Sequence, residues 1–227
     1  KKKFQLGLSH PNPRVCQERA KRMVSLKPNG FQITLPDWWP PTFNESKNFI
    51  LGMQEVVEDI YMILYNPPHA KVLLSLEEIR LLKQSVQNLV GIKCAGGDEQ
   101  WYSQRRELLD DFSVFVPGHT VVYGKPLGAN GSYSNVACLS PNGAVKIWDL
   151  IEKDYEKAQE LEAKVLNFMK QYILPFANKL SNTGLDKLLA SVGGWGPVSE
   201  KVLWPYDGAT AEAVSYTHLR AHETIVH

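Results

Sequence analysis

Leu64-Tyr65-Asn66-Pro67-Pro68 and Val90-Gly91-Ile92-Lys93 each close a short apolar run. Ile60-Tyr61-Met62-Ile63 precedes the first and Leu89 the second, and 28 residues separate Tyr65 from Lys93. Short runs of this composition read as buried parallel strands, and the spacing is that of a strand–helix–strand unit. Ligands of such sheets gather at the carboxyl ends of the strands, where both the phenol and the amine fall. An ammonium ending a buried strand is costly unless something uses it. Burial disfavours its charged form and yields an amine able to attack a carbonyl. A phenol on the neighbouring strand could carry the protons that imine chemistry moves. Read singly, Lys93 could snorkel into solvent and Tyr65 could be a core aromatic. Together they point to a Schiff-base enzyme.

The same alternation extends in both directions. Phe4-Gln5-Leu6-Gly7-Leu8 reads as a strand followed by a helix over 14–26. Gly30-Phe31-Gln32-Ile33-Thr34-Leu35 is the next strand, with Asn44 as the expected N-cap of its helix. Ser75 and Glu78 have capping-box spacing, and Asp98 opens the helix after Lys93. Phe112-Ser113-Val114-Phe115-Val116 and the segment from Gly131 to Val136 are the last expected strands. From Trp148 the pattern turns helical, over 151–172 and 186–192. Six strands fall short of the eight of a closed (β/α)8 barrel of about 250 residues. The expected fold is therefore a (β/α)8 barrel lacking about its first two βα units. The partial barrel is placed at 1–147 and a C-terminal helical region at 148–214. Residues 215–227, with Ser215-Tyr216-Thr217-His218-Leu219-Arg220, resemble translated sequencing-adapter read-through and are set apart from the fold. The histidines there, His218, His222 and His227, are not read as a metal site.

The 227 residues are 44% apolar, with a formal net charge of +1. That balance offers no basic surface for nucleic acid, and no run of about 18 apolar residues suggests a membrane span. Cys16, Cys94 and Cys138 are odd in number and widely spaced, which fits a reducing cytoplasm better than a disulfide framework or zinc ribbon.

With these residues assembled, nearly the whole chain, from about Phe4 to Ala213, resembles the dihydrodipicolinate synthase and N-acetylneuraminate lyase superfamily. The resemblance rests on the Tyr65 and Lys93 motifs and on Leu127-Gly128-Ala129-Asn130-Gly131-Ser132-Tyr133-Ser134-Asn135-Val136. It also uses Asn178, Asp186-Lys187 and Leu203-Trp204-Pro205 of the helical tail. Membership implies a (β/α)8 barrel, Lys93 as the imine-forming lysine and Tyr65 as the proton-transferring phenol. It further implies a lyase acting on a pyruvate-type 2-oxo acid without metal or organic cofactor, and commonly a homo-tetramer.

The departures bear on the second substrate. The family's carboxylate-holding loop falls in the expected missing part, so the chain itself could be an inert fragment of an active parent. Pro36-Asp37-Trp38-Trp39 stands where synthases carry an aromatic pair with tyrosine, and indole cannot relay a proton as a phenol does. His69-Ala70-Lys71 replaces an arginine, and His119-Thr120 an acidic pair. Trp38, His69, His119, Tyr133 and Ser134 are the expected substrate-binding residues, for a distal unit that is neutral and hydroxylated or aromatic. Gly128, Asn130 and Gly131 are read as a close backbone approach to that substrate. A rival reading is a metal-dependent barrel hydrolase using His10, His69 and His119 with a carbamylated Lys93.

Overall fold

The computed structural model describes residues 3–224. Strands and helices alternate in the order β1 (Gln5–Gly7), α1 (Pro13–Val24), β2 (Gly30–Ile33), α2 (Phe43–Val57), β3 (Tyr61–Tyr65), α3 (Leu76–Ser85), β4 (Leu89–Lys93), α4 (Glu99–Leu108) and β5 (Ser113–Pro117). After these come α5 (Val121–Leu127), β6 (Gly131–Tyr133), α6 (Val136–Leu139), α7 (Pro141–Lys153), α8 (Tyr155–Phe168), α9 (Asn182–Gly193) and α10 (Ala211–Thr224). The strands form one six-stranded sheet in chain order, β1-β2-β3-β4-β5-β6. The fold is a partial (β/α)8 barrel with a helical C-terminal region, as the sequence implied. No described helix is long and apolar enough to cross a membrane.

The chain divides into two compact units. The first runs to Val116 and includes Leu127–Gly131; the second takes Pro117–Pro126 and the chain from Ser132. In the first, β1 to β5 pair in parallel. Their residues are buried on both faces: Phe31 and Ile33 in β2, Met62, Ile63 and Leu64 in β3, Ile92 in β4 and Val114 in β5. Helices cover them with Cys16, Ala20, Ile50, Met53, Val57, Ile79, Leu82 and Tyr102. Each fully buried Val, Leu, Ile, Phe or Met side chain among these contributes about 1.5–3 kcal/mol.

The helix starts are fixed by side-chain caps. Ser75 and Glu78 form the capping box expected for α3, and Asp98 accepts from the Trp101 N–H at 2.8 Å. For α2 the expectation is corrected. Thr42, not Asn44, is the N-cap: its hydroxyl accepts from Glu45 N–H, and the Glu45 carboxylate returns to the Thr42 N–H at 2.7 Å. Glutamate three residues on completes the box for Thr42, and Asn44 lacks such a partner.

The second unit is helical, around Leu139, Phe168, Ile173, Leu188, Leu189, Val192 and Ala209. Three expectations are corrected here. Helix begins well before Trp148: the strand expected over 131–136 ends at Tyr133, α6 starts at Val136, and α7 starts at Pro141, where Ser140 caps it and proline suits the first turn. The helix expected over 151–172 is broken at Asp154, whose extended backbone ends α7 and whose carboxylate caps α8 at Lys157 N–H. The chain after Ser215 was expected to leave the helical pattern, yet α10 runs through it, with Thr217 buried and Tyr216 against Tyr172. His227 and the side chains of His218 and His222 lie outside the described residues.

Candidate active site

The expected catalytic pair is brought together in the first unit. β3 and β4 start in one register, Met62 opposite Leu89, and continue one residue out of it, Ile63 opposite Gly91. Val90 is the extra residue. In the earlier register Tyr65 would face Ile92; after the shift it faces Lys93. Because side chains alternate along a strand, a one-residue slip sends each to the opposite face. The bulge therefore places phenol and amine on one side of the sheet. Lys93 Nζ lies 4.1 Å from the centroid of the Tyr65 ring, within cation–π range. Both residues are half-buried at their strands' carboxyl ends.

Gly91 sets how closely β4 packs beside β5, where it pairs with Ser113. A Cβ there would stand 2.8 Å from the Ser113 carbonyl oxygen and 3.1 Å from its Cβ, so only glycine lets β5 approach β4 this closely. The neighbouring Cys94 N–H donates to Phe115 C=O at 3.0 Å, and burial pushes the Cys94 thiol above its ordinary pKa.

Beyond Tyr65, Asn66 is buried, and its amide spans the following loop. Nδ2 donates to Val72 C=O at 2.7 Å and Oδ1 accepts from Leu74 N–H at 3.0 Å. Its backbone N–H donates to Lys93 C=O at 2.9 Å. Sequence reading missed this role, although a donor-and-acceptor side chain directly after a buried strand is a signal for it. His69 is exposed on that loop. Lys71, two residues on, donates to Trp38 C=O at 3.0 Å.

Trp38 and Trp39 are 81% and 77% exposed. They line a cleft of about 510 Å³ with Pro11, Arg14, Gln17 and Phe49, to which Tyr65 and Lys93 do not contribute. The glycine-rich segment packs against β5. Asn130 pairs with Val114 through N–H to C=O at 2.8 Å, and its Oδ1 accepts from Val114 N–H and from buried Arg105. A Cβ on Gly131 would stand 2.8 Å from the Phe115 ring. The close approach is to β5 and its aromatic ring.

In the second unit, His119 Nδ1 lies 3.1 Å from Asn135 Oδ1. Ser134 Oγ accepts from Ala137 N–H at 3.3 Å and packs against Gly118, where a Cβ would not fit. Tyr133 is half-buried beside it in sequence. Among the described residues no three His, Cys, Asp or Glu side chains converge as a metal-binding group. His10 instead accepts from Asn12 N–H at 3.0 Å in the turn before α1.

Residues 18–201 match the dihydrodipicolinate synthetase family. Among solved structures the chain is similar to a prophage protein of the dihydrodipicolinic acid synthase family from E. coli K12 in complex with pyruvate, at 18% identity and a TM-score of 0.82, covering 97% of this chain and 74% of that one. It is similar to CdNal from Clostridium difficile in complex with mannosamine, at 18% identity and a TM-score of 0.81, covering 96% and 74%. It is also similar to N-acetylneuraminate lyase from Fusobacterium nucleatum, at 17% identity and a TM-score of 0.79, covering 97% and 73%. No curated protein sequence matches the chain. At such identities the likeness carries the fold.

Proposed function

The chain belongs to the dihydrodipicolinate synthetase family, and from that premise we propose that it is a class I lyase acting on a pyruvate-type 2-oxo acid through an imine on Lys93. The observation that carries this reading is the Tyr65–Lys93 pair, in register at the strands' carboxyl ends with Nζ 4.1 Å from the ring centroid. Lys93 attacks as the neutral amine, so any ammonium must first release its proton. The amine nitrogen then bonds to the substrate's C2, and the carbonyl oxygen takes up a proton to give a carbinolamine. Loss of water leaves a protonated imine. The imine draws electrons from the adjacent carbon, so a proton or a C–C bond at C3 can break or form. Tyr65 is assigned the proton transfers to and from the carbinolamine oxygen.

His69 lies on the loop after Tyr65 and is offered as a contact for the substrate's distal part. His119, Tyr133 and Ser134 belong to the second unit and are given no step in this chemistry. The reading is tested by incubating the protein with pyruvate and sodium borohydride and locating the adduct by peptide mass spectrometry. Reductive addition of pyruvate to the peptide containing Lys93 is expected. An adduct on another lysine, or no adduct on Lys93, overturns it.

A further inference from the structure

We propose that Asn66 is a positioning residue for Tyr65, holding the phenol over Lys93 by clamping the loop that leaves β3. The inference rests on the imine reading of the Tyr65–Lys93 pair and adds to it a residue that touches neither substrate nor the reacting atoms. Three hydrogen bonds converge on Asn66. The backbone N–H extends the β3–β4 ladder to Lys93 C=O at 2.9 Å, one step past the Tyr65–Lys93 pair. The side chain donates to Val72 C=O at 2.7 Å and accepts from Leu74 N–H at 3.0 Å. A chain leaving a strand through Pro67 and Pro68 is stiff, but its direction is not fixed by a ladder. The Asn66 amide supplies that direction by closing the loop on itself, and Ala70 N–H to Pro67 C=O at 2.9 Å makes the first turn.

The chemistry requires an amide. A carboxylate or hydroxyl of similar reach cannot donate to Val72 C=O and accept from Leu74 N–H with the same fixed polarity. Asn66 is also buried, so water does not substitute freely for either partner. Tyr65 is the residue immediately before this clamp. Its ring face meets Lys93, so a small change in the exit angle of the chain moves the phenol relative to the amine, and a displacement of about 1 Å can cost about 10²-fold in rate.

The test uses two readouts that need only pyruvate: borohydride trapping on Lys93, and exchange of pyruvate's methyl protons for deuterium followed by NMR. In Asn66→Ala, exchange per trappable Lys93 should fall at least tenfold, while the pyruvate concentration for half-maximal trapping changes less than about threefold. In a Tyr65→Phe background the same substitution should change exchange by less than about twofold, because Asn66 acts through the missing hydroxyl. If Asn66→Ala does not fold, Asn66→Asp keeps the acceptor for Leu74 N–H, removes the donor to Val72 C=O, and carries the same comparison. Unchanged exchange per trappable site, or an equal loss in both backgrounds, overturns the positioning role while leaving the imine intact. Absence of trapping on Lys93 in the wild type removes the imine reading itself, and this inference with it.

Discussion

Tyr65 faces Lys93 across β3 and β4 because Val90 is an extra residue: Met62 pairs with Leu89, but Ile63 already pairs with Gly91. A β-bulge costs a ladder hydrogen bond and turns the strand, and such features are common where a side chain must be aimed. Here it moves Lys93 from the face opposite Tyr65 to the same one. The amine and the phenol ring then lie 4.1 Å apart. The bulge thus links an irregularity of the sheet to the chemistry proposed for its rim.

Tyr65→Phe separates the ring from the hydroxyl. The phenyl face still covers Lys93 Nζ, so the cation–π contact persists. Exchange of pyruvate's methyl protons should fall by about 10²-fold or more, the usual loss for a general acid–base group. Unchanged exchange would make Tyr65 a packing residue and assign the proton transfers elsewhere.

Gly91→Ala tests the close approach of β5 to β4. The new methyl would meet the Ser113 carbonyl oxygen at 2.8 Å, and a backbone oxygen cannot swing aside as a side chain can. Overpacking of this kind costs about 1–3 kcal/mol, which urea unfolding resolves. Borohydride trapping at Lys93, two residues along the same strand, should slow as well. A variant as stable as the wild type would show that β4 and β5 can part at no cost.

Thr42→Ala and Asn44→Ala distinguish two assignments of the α2 start. Thr42 holds the Glu45 N–H and its own N–H is held by the Glu45 carboxylate, so its loss should cost about 1 kcal/mol. Asn44 is exposed inside the first turn, and its replacement should stay within about 0.5 kcal/mol. Denaturant midpoints of the two variants reversing that order would restore Asn44 as the cap.

The Asn44 case marks what the sequence could and could not convey. β3 and β4 were legible because buried parallel strands are near-continuous apolar runs, and Met62, Ile63, Leu64 and Ile92 are buried as that pattern demands. The α3 and α4 starts were legible because Ser75, Glu78 and Asp98 act within one helical turn. The break at Asp154 was hidden, since Ile151, Ala158 and Val165 are apolar on both sides of it and a single extended residue leaves no gap in such a pattern. The pairing of Tyr65 with Lys93 was legible as chemistry, but its cause, the extra Val90, depends on a register between strands that neither strand encodes alone. The approach of the Phe115 ring was hidden because Gly131 gives the same signal whether a ligand or a side chain comes close.

Glu162 gives the second unit a pH dependence whose sign is fixed by its surroundings. Burial pushes its carboxyl above the ordinary carboxylate range, and the Val122 N–H, donating to Oε1 at 3.1 Å, offsets this only in part. The folded chain therefore keeps this proton to a higher pH than the unfolded chain does. Between the ordinary carboxylate pKa and the raised folded value the native state binds more protons, so this group's contribution to stability is full at low pH and falls as pH rises through that window. Glu162→Gln keeps an oxygen for Val122 N–H and removes the ionisation. Its stability relative to the wild type should increase as pH is raised from about 3.5 to about 7 and level off above the raised pKa, with every other carboxylate cancelling between the two proteins. Paired thermal melts across that range check it. A difference that stays flat would mean that the Val122 N–H cancels the effect of burial, and one that moves in favour of glutamate as pH rises would mean that it outweighs burial.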